Sequence, residues 1–247
     1  MMDLVKHTGY TAIVTGSTRG IGKETALLLL NNGMNVIISS KSQDSVDNAI
    51  QDIYIKFPSK KENTLGLKCD VSKYSDVKSL VDITIKRFGG INILVNNAGI
   101  VYYRSLRDTT EEEWNNTIDT NLKGIFLFTK EVLPHMIKNK SGGVIVNVSS
   151  GAGKSGFANL SVYCASKFGI IGLTESVAKE VADNNVKVMS ICPGGVDTDM
   201  IKDIFKEGYN LSNRNLMKPQ QVAKKIYEMI SNQKDYYNGQ SIEFYKQ

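Results

Sequence analysis

Seven short apolar runs punctuate the chain: Tyr10–Thr15, Asn35–Ser39, Thr64–Cys69, Ile91–Asn96, Val144–Ser149, Val186–Ile191 and Gln240–Phe244. Several are apolar at successive positions rather than alternate ones, as a parallel strand buried on both faces should be. Stretches of helical period lie between them, near residues 20–32, 43–56, 73–87, 111–138, 162–184 and 219–231. This β-α alternation predicts right-handed crossovers and an α/β fold. No linker, repeat or low-complexity segment interrupts it, so residues 1–247 should form one domain, a doubly wound parallel sheet of about seven strands with helices on both faces.

Local signals refine the element ends. Ser72 is placed to cap the third helix, and Thr110 with Glu113 makes a capping-box pattern ahead of Trp114. Pro219 suits the first turn of the final helix. Pro134 should kink the long fourth helix or mark its end region. The segment from about Thr198 to Met217 has weak periodicity and reads either as a loop or short-helix excursion over a site or as a plain surface connection.

Composition adds exclusions. The chain is 41% hydrophobic and 22% charged, within the range of ordinary globular proteins. No run approaches eighteen apolar residues, so no membrane span is expected. The start, Met1-Met2-Asp3-Leu4-Val5-Lys6-His7, is too polar for a secretory signal, and Tyr245-Lys246-Gln247 is not a peroxisomal address, so the cytoplasm is the expected compartment. Cys69, Cys164 and Cys192 are odd in number and widely spaced, which fits buried reduced thiols. With only His7 and His135 available, a histidine-based metal site or triad is nearly excluded, and no metal is expected. The net charge of +5 comes from scattered lysines and fits a solvated surface with an anionic cofactor site better than a nucleic-acid surface.

Chemistry concentrates in two places. After the first strand, Thr15-Gly16-Ser17-Thr18-Arg19-Gly20-Ile21-Gly22 opens the first helix, where backbone amides and the positive helix end suit a pyrophosphate. Further on, Tyr163 and Lys167 stand at i, i+4 on one helix face, and Ser150 precedes the tyrosine by thirteen positions after a buried strand. A dinucleotide turn followed by serine, tyrosine and lysine in this order resembles the short-chain dehydrogenase/reductase family. The resemblance implies a Rossmann fold and hydride transfer between a nicotinamide and a carbonyl or secondary alcohol. It covers about Tyr10 to Met200, the Lys218-Pro219-Gln220-Gln221-Val222-Ala223 segment and, weakly, Asn238-Gly239-Gln240.

NAD-specific sites place an acid after the second strand. This chain has Ser39-Ser40-Lys41-Ser42 there, and Arg19 lies inside the glycine turn. Two cations facing a 2′-phosphate would give charge-assisted hydrogen bonds, so NADP is the expected cofactor, with Ser40, Lys41 and Arg19 at its phosphate. The resemblance assigns Gly16, Ser17, Thr18, Gly20, Ile21 and Gly22 to the pyrophosphate turn. Asp70 and Val71 correspond to the pair at the adenine, and Asn97, Ala98 and Gly99 to the small residues beside adenosine. Pro193, Gly194, Val196 and Thr198 correspond to the nicotinamide side.

Four catalytic positions carry over one at a time. Asn121 matches the helix asparagine that supports a water relay. Ser150, rather than Ser149, has the spacing to hydrogen-bond the substrate oxygen. Tyr163 matches the general acid of reduction, and Lys167 the residue that holds the nicotinamide ribose and depresses the phenol pKa. Bringing a free phenol to about 7 needs roughly 4 kcal/mol, about what one cation roughly 4 Å away supplies at an effective dielectric near 20.

Substrate class is open at this level. Tyr102, Tyr103, Arg104, Phe157 and the Thr198–Met217 segment should line or border the pocket, and the aromatic walls favour a 3-oxoacyl thioester or related apolar ketone. A sugar, polyol or steroid dehydrogenase is the alternative. A sensor or scaffold that bound NADP without turnover would be expected to have lost the tyrosine, lysine or serine, and none is missing. Carrier-protein reductases of the family tend to place arginines where Ser141 and Asn184 stand here. With Lys138, Lys140 and Lys179 close by, docking of an acyl carrier protein is compatible with the sequence but not indicated. The family's closing glycine pair is absent from Gln240-Ser241-Ile242-Glu243-Phe244-Tyr245-Lys246-Gln247. A homo-oligomer is expected, with tetramer and dimer both open.

Overall fold

A computed structural model of the chain describes residues 8–139, 141–207 and 216–246. The strands are β1 (Thr11–Val14), β2 (Asn35–Ser40), β3 (Thr64–Lys68), β4 (Ile93–Asn96), β5 (Gly143–Val148), β6 (Val186–Pro193) and β7 (Ser241–Phe244). They form one sheet in the order β3-β2-β1-β4-β5-β6-β7 with every pairing parallel. The order reverses between β1 and β4, the switch point of a doubly wound Rossmann sheet, where ligands bind at the carboxyl ends of the strands.

Alternation along each strand builds two apolar layers. Ala12 and Val14 of β1 face one side with Val36, Ile38, Val95 and Val146. They pack against α1 (Gly20–Asn31), α2 (Gln43–Lys56) and α8 (Pro219–Ser231), which supply Leu29, Leu30, Ile53, Ile226 and Met229. Ile13, Ile37, Leu94, Ile145 and Val188 face the other side. There they meet Leu80 of α3 (Tyr74–Phe88), Phe128 and Val132 of α5 (Gly124–Lys138) and Val177 of α6 (Ser161–Glu180). Every position of β1, β4 and β5 is buried, which is why their sequences read as continuous apolar runs.

Two local expectations change. Ser72 does not cap α3: the cap position is Lys73, and the Ser72 hydroxyl donates to Asp70 Oδ1 at 2.7 Å instead. The helix begins at Tyr74, so Ser72 lies one residue ahead of the cap position. The single helix expected over 111–138 is divided into α4 (Glu111–Ile118), a wide π-type turn at Asp119–Lys123, and α5. Pro134 lies within α5, four residues before its end at Lys138, so the break falls at the wide turn rather than at the proline. The excursion after β6 contains a short helix, α7 (Asp199–Lys206); the part of it from 208 to 215 lies outside the described residues. The capping box of Thr110 and Glu113 and the early proline of α8 are both present.

Candidate active site

The carboxyl ends of the strands open into a cleft of about 850 Å³. Its cofactor half is built by the turn between β1 and α1. Gly16 has φ +62°, and a Cβ there would lie 2.9 Å from the Ala98 Cα, so the turn and the end of β4 approach backbone to backbone. A side chain at Gly22 would run into Asn97 Nδ2 and the Gly16 carbonyl. The Thr15 hydroxyl accepts the backbone N–H groups of Asn97 and Ala98 at 2.9 and 3.0 Å, which locks the two loops together. The amino end of α1 has neither a side-chain cap nor an acid in its first turn. Its unpaired N–H groups therefore face the cleft with the positive end of the helix. That is a fit for a dinucleotide pyrophosphate.

Most residues expected at the cofactor line this cleft: Gly16, Thr18, Arg19, Gly20, Ile21, Ser40, Lys41, Asp70, Val71, Asn97, Ala98, Gly99, Pro193, Gly194, Val196 and Thr198. Ser17 and Gly22 do not. The Ser17 hydroxyl is buried and accepts the Ser39 N–H at 2.9 Å, so it ties the turn to β2. Gly22 provides room under the turn rather than a contact surface. Arg19 is mostly exposed and reaches across the cleft mouth to Asp199 Oδ2 at 3.2 Å. Lys41 lowers the pKa of Asp70 through space; burial alone would raise that carboxyl, but hydrogen bonds from Ser72 and the charges of Lys73 and Lys41 outweigh it.

In the catalytic half, Ser150 ends the chain's run out of β5. Its Oγ accepts the Ala152 N–H at 3.1 Å and bonds the Tyr163 hydroxyl. Ser149, by contrast, donates to the Lys167 carbonyl at 2.9 Å and is buried, so of the two serines it is the one that holds α6 in place. Lys167 is 4% exposed, and its Nζ donates to the Val148 carbonyl at 2.9 Å while lying 5.5 Å from the centre of the Tyr163 ring. Burial pushes its ammonium down to about 8. Burial likewise pushes the Tyr163 phenol up, against the Ser150 hydrogen bond, to about 12. The lysine's tip is held by a carbonyl, and desolvation dominates both groups.

Asn121 is fully buried and does not line the cleft. Its Oδ1 accepts the Ile100 N–H at 2.8 Å, and its Nδ2 donates to the Ile100 carbonyl at 2.9 Å and the Ser166 hydroxyl at 3.1 Å. The wide turn at Asp119–Lys123 carries it there, so it clamps the loop after β4 to the catalytic helix. Of the expected substrate walls, Tyr102 and Phe157 line the cleft. Tyr103 turns away and accepts a hydrogen bond from Asn159 Nδ2 at 3.0 Å. Arg104 pairs with Glu113 and Glu207 at 3.4 and 3.0 Å, because two carboxylates flank it on the far side of the loop. The cleft also takes in Tyr245 and Lys246 after β7, which sequence reasoning treated only as an atypical tail. All three cysteines are buried and unpaired, and among the described residues no group of three or more metal-binding side chains occurs.

Comparison with known proteins agrees with this geometry. The model of a family described as short chain dehydrogenase matches residues 10–208. The chain is 34% identical over 239 residues to the 3-oxoacyl-[acyl-carrier-protein] reductase FabG of Thermotoga maritima, covering 95% of each chain. It is 39% identical over 237 residues to the protein of the same name from Chlamydia muridarum, covering 93% of each. Among solved structures, that of levodione reductase superposes with a TM-score of 0.88 at 26% identity, over 96% of each chain.

Proposed function

This chain belongs to the short-chain dehydrogenase family, and from that premise we propose that it is an NADPH-dependent reductase of a 3-oxoacyl thioester or a related apolar ketone. The observation that carries the reading is the meeting of Ser150, Tyr163 and Lys167 in one cleft with the uncapped amino end of α1. The relatives named for 3-oxoacyl reduction and the levodione reductase neighbour support a ketone substrate. Arg19 and Lys41 at the adenosine end, with no acid at the end of β2 and Asp44 already inside the first turn of α2, support the phosphorylated dinucleotide.

The dinucleotide, when bound, supplies the hydride. The residues of the chain do the rest. Thr18, Gly20 and Ile21 at the head of α1 would hold the pyrophosphate, and Val196 and Thr198 would serve the nicotinamide end. Ser150 holds the substrate oxygen, and Tyr163, neutral at physiological pH with its pKa at about 12, donates the proton to it. A phenol that keeps its proton suits the reducing direction. In the oxidising direction Tyr163 would have to lose that proton, which the positive charge of Lys167, 5.5 Å from its ring centre, would favour. Aromatic walls from Tyr102 and Phe157 fit an acyl or cyclic apolar group.

Phe126, Trp114 and Phe168 stand exposed on α5, α4 and α6, which supports a homo-oligomer built on these helices. Among the described residues no helix is long and apolar enough to cross a membrane, and the cytoplasm is the proposed compartment. The test is oxidation of NADPH, followed by absorbance, with acetoacetyl-CoA, a hydrophobic cyclic diketone and a ketose at matched concentration. Tyr163→Phe should lower turnover by ~100- to 10,000-fold while NADPH binding persists. Full activity in that variant refutes the mechanism, and a ketose turned over much faster than both others refutes the substrate class.

A further inference from the structure

The strand β7 ends one residue before an aromatic that the proposed chemistry does not use. Pairing of β7 with β6 sets Glu243 beside Cys192 and Phe244 beside Pro193, and the Gly194 N–H donates to the Phe244 carbonyl at 3.0 Å. Strand alternation then fixes where the side chains go. Ile242 and Phe244 pack on the α1/α8 layer, so Glu243 and Tyr245 project to the opposite face, the one that carries Ser150 and Tyr163. Tyr245 there lies across two residues that have no side chain. A Cβ on Gly194 would come within 2.7 Å of its Cδ1, and one on Gly151 within 3.3 Å of its Cε1 and 3.4 Å of its hydroxyl. The ring therefore rests on bare backbone at both places, directly after the serine of the catalytic set and directly after Pro193.

About half of Tyr245 remains exposed, and that exposed part faces the cleft. Its hydroxyl bonds the Glu243 carboxylate; burial, and then that carboxylate, push the phenol up to about 12. It is a neutral, fixed ring with its polar tip already occupied. A ring so held offers an apolar surface and no proton to a substrate.

We propose that Tyr245 is a specificity-determining residue: its ring, laid over Gly151 and Gly194, is the wall against which the substituent next to the reacting carbonyl packs. The inference rests on the ketone-reductase reading above. The wall stands beside the Ser150 that holds the carbonyl oxygen, so it admits flat or unbranched groups, such as the acyl chain of a thioester, and crowds groups branched next to the carbonyl.

The experiment compares kcat/KM for acetoacetyl-CoA and for a bulky ketone branched at the carbon next to the carbonyl, in the unmodified enzyme and in Tyr245→Ala, Tyr245→Phe and Tyr245→Trp. Even a single methylene in an apolar pocket changes discrimination by ~10–200-fold. Tyr245→Ala should therefore shift the ratio of the two substrates at least about tenfold toward the branched ketone, mainly through KM. Tyr245→Phe should keep the original ratio, and Tyr245→Trp should shift it the other way. The pH profile of turnover should stay as in the unmodified enzyme, since Tyr163 is not touched. Tyr245→Trp keeps the question answerable should the alanine variant fold poorly. An active enzyme whose substrate ratio is the same in the alanine and tryptophan variants overturns the specificity role and leaves the ketone-reductase reading standing. An unmodified enzyme that reduces no ketone overturns that reading, and the role of Tyr245 falls with it.

Discussion

Lys167 should be a residue that the unliganded fold tolerates at a cost, and the cost can be measured. It is 4% exposed, and burial brings its ammonium from 10.5 down to about 8. At pH 7 it carries its proton in both the folded and unfolded states, so the folded state bears the whole shift, about 3 kcal/mol at roughly 1.36 kcal/mol per pKa unit. Because the folded pKa lies below the unfolded one, the unfolded chain binds more protons between about pH 8 and 10.5, and stability from this group rises across that window. By about pH 9.5 the penalty has shrunk to about 1.4 kcal/mol. Lys167→Met keeps the straight chain and removes the charge. It also deprives the Val148 carbonyl of its donor, which costs about 1–3 kcal/mol at every pH. The variant's stability relative to the unmodified protein should therefore fall by about 2 kcal/mol between pH 7 and pH ~9.5, whatever its sign at either end. The Tyr163 phenol, raised from 10.0 to about 12, contributes stability that is present below pH 10 and lost as pH climbs toward 12, so it lies above this window. Urea denaturation of both unliganded proteins at the two pH values gives the answer. A stability difference that stays constant with pH shows that Lys167 is not held in a strained ionisation state, and the argument fails.

Two further outcomes follow from the same geometry. Arg19 is held by a single exposed ion pair to Asp199, which is worth no more than about 1 kcal/mol, so a 2′-phosphate can take it over. Replacing both Arg19 and Lys41 by alanine should weaken NADPH binding roughly a hundredfold or more, at about 1.5–3 kcal/mol per charged hydrogen bond, with NADH affinity unchanged; equal losses for both dinucleotides in a titration refute the assignment. Asn121→Ala leaves the half-buried Ile100 N–H and carbonyl without their partner and should cost about 2–4 kcal/mol in urea unfolding. A loss under about 1 kcal/mol would show that water replaces the amide and that the clamp is not structural.

How much of this was legible in the sequence depended on whether one local pattern had a competitor. β5 could be read from Val144 to Val148 because burial on both faces leaves no polar position to confuse the period. The turn before α1 could be read because Gly16 and Gly22 answer close approaches that no other residue can make. That Tyr163 and Lys167 would reach one cleft could be read because they share a helix face by spacing. Ser72 failed by one position, since α3 starts at Tyr74 and its cap falls on Lys73.

The remaining features depend on partners far along the chain. Asp119-Thr120-Asn121-Leu122-Lys123 carries no break in helical period, and the wide turn there sets Asn121 against Ile100 and Ser166, 21 and 45 residues away. Periodicity reports the average face of a helix, so it is blind to one underwound turn that serves a single side chain. Spacing brings Lys167 beside Tyr163, but the lysine's tip is decided by the Val148 carbonyl, a backbone atom with no sequence signature. Tyr245 is visible as an aromatic near the end of a short strand, yet which face it takes depends on the register of β7 against β6, and a slip of one residue would move it to the opposite layer. In this fold the chemistry that spacing along one element determines is open to sequence reasoning. The chemistry that register and backbone carbonyls determine, including the wall proposed at Tyr245, requires the assembled sheet.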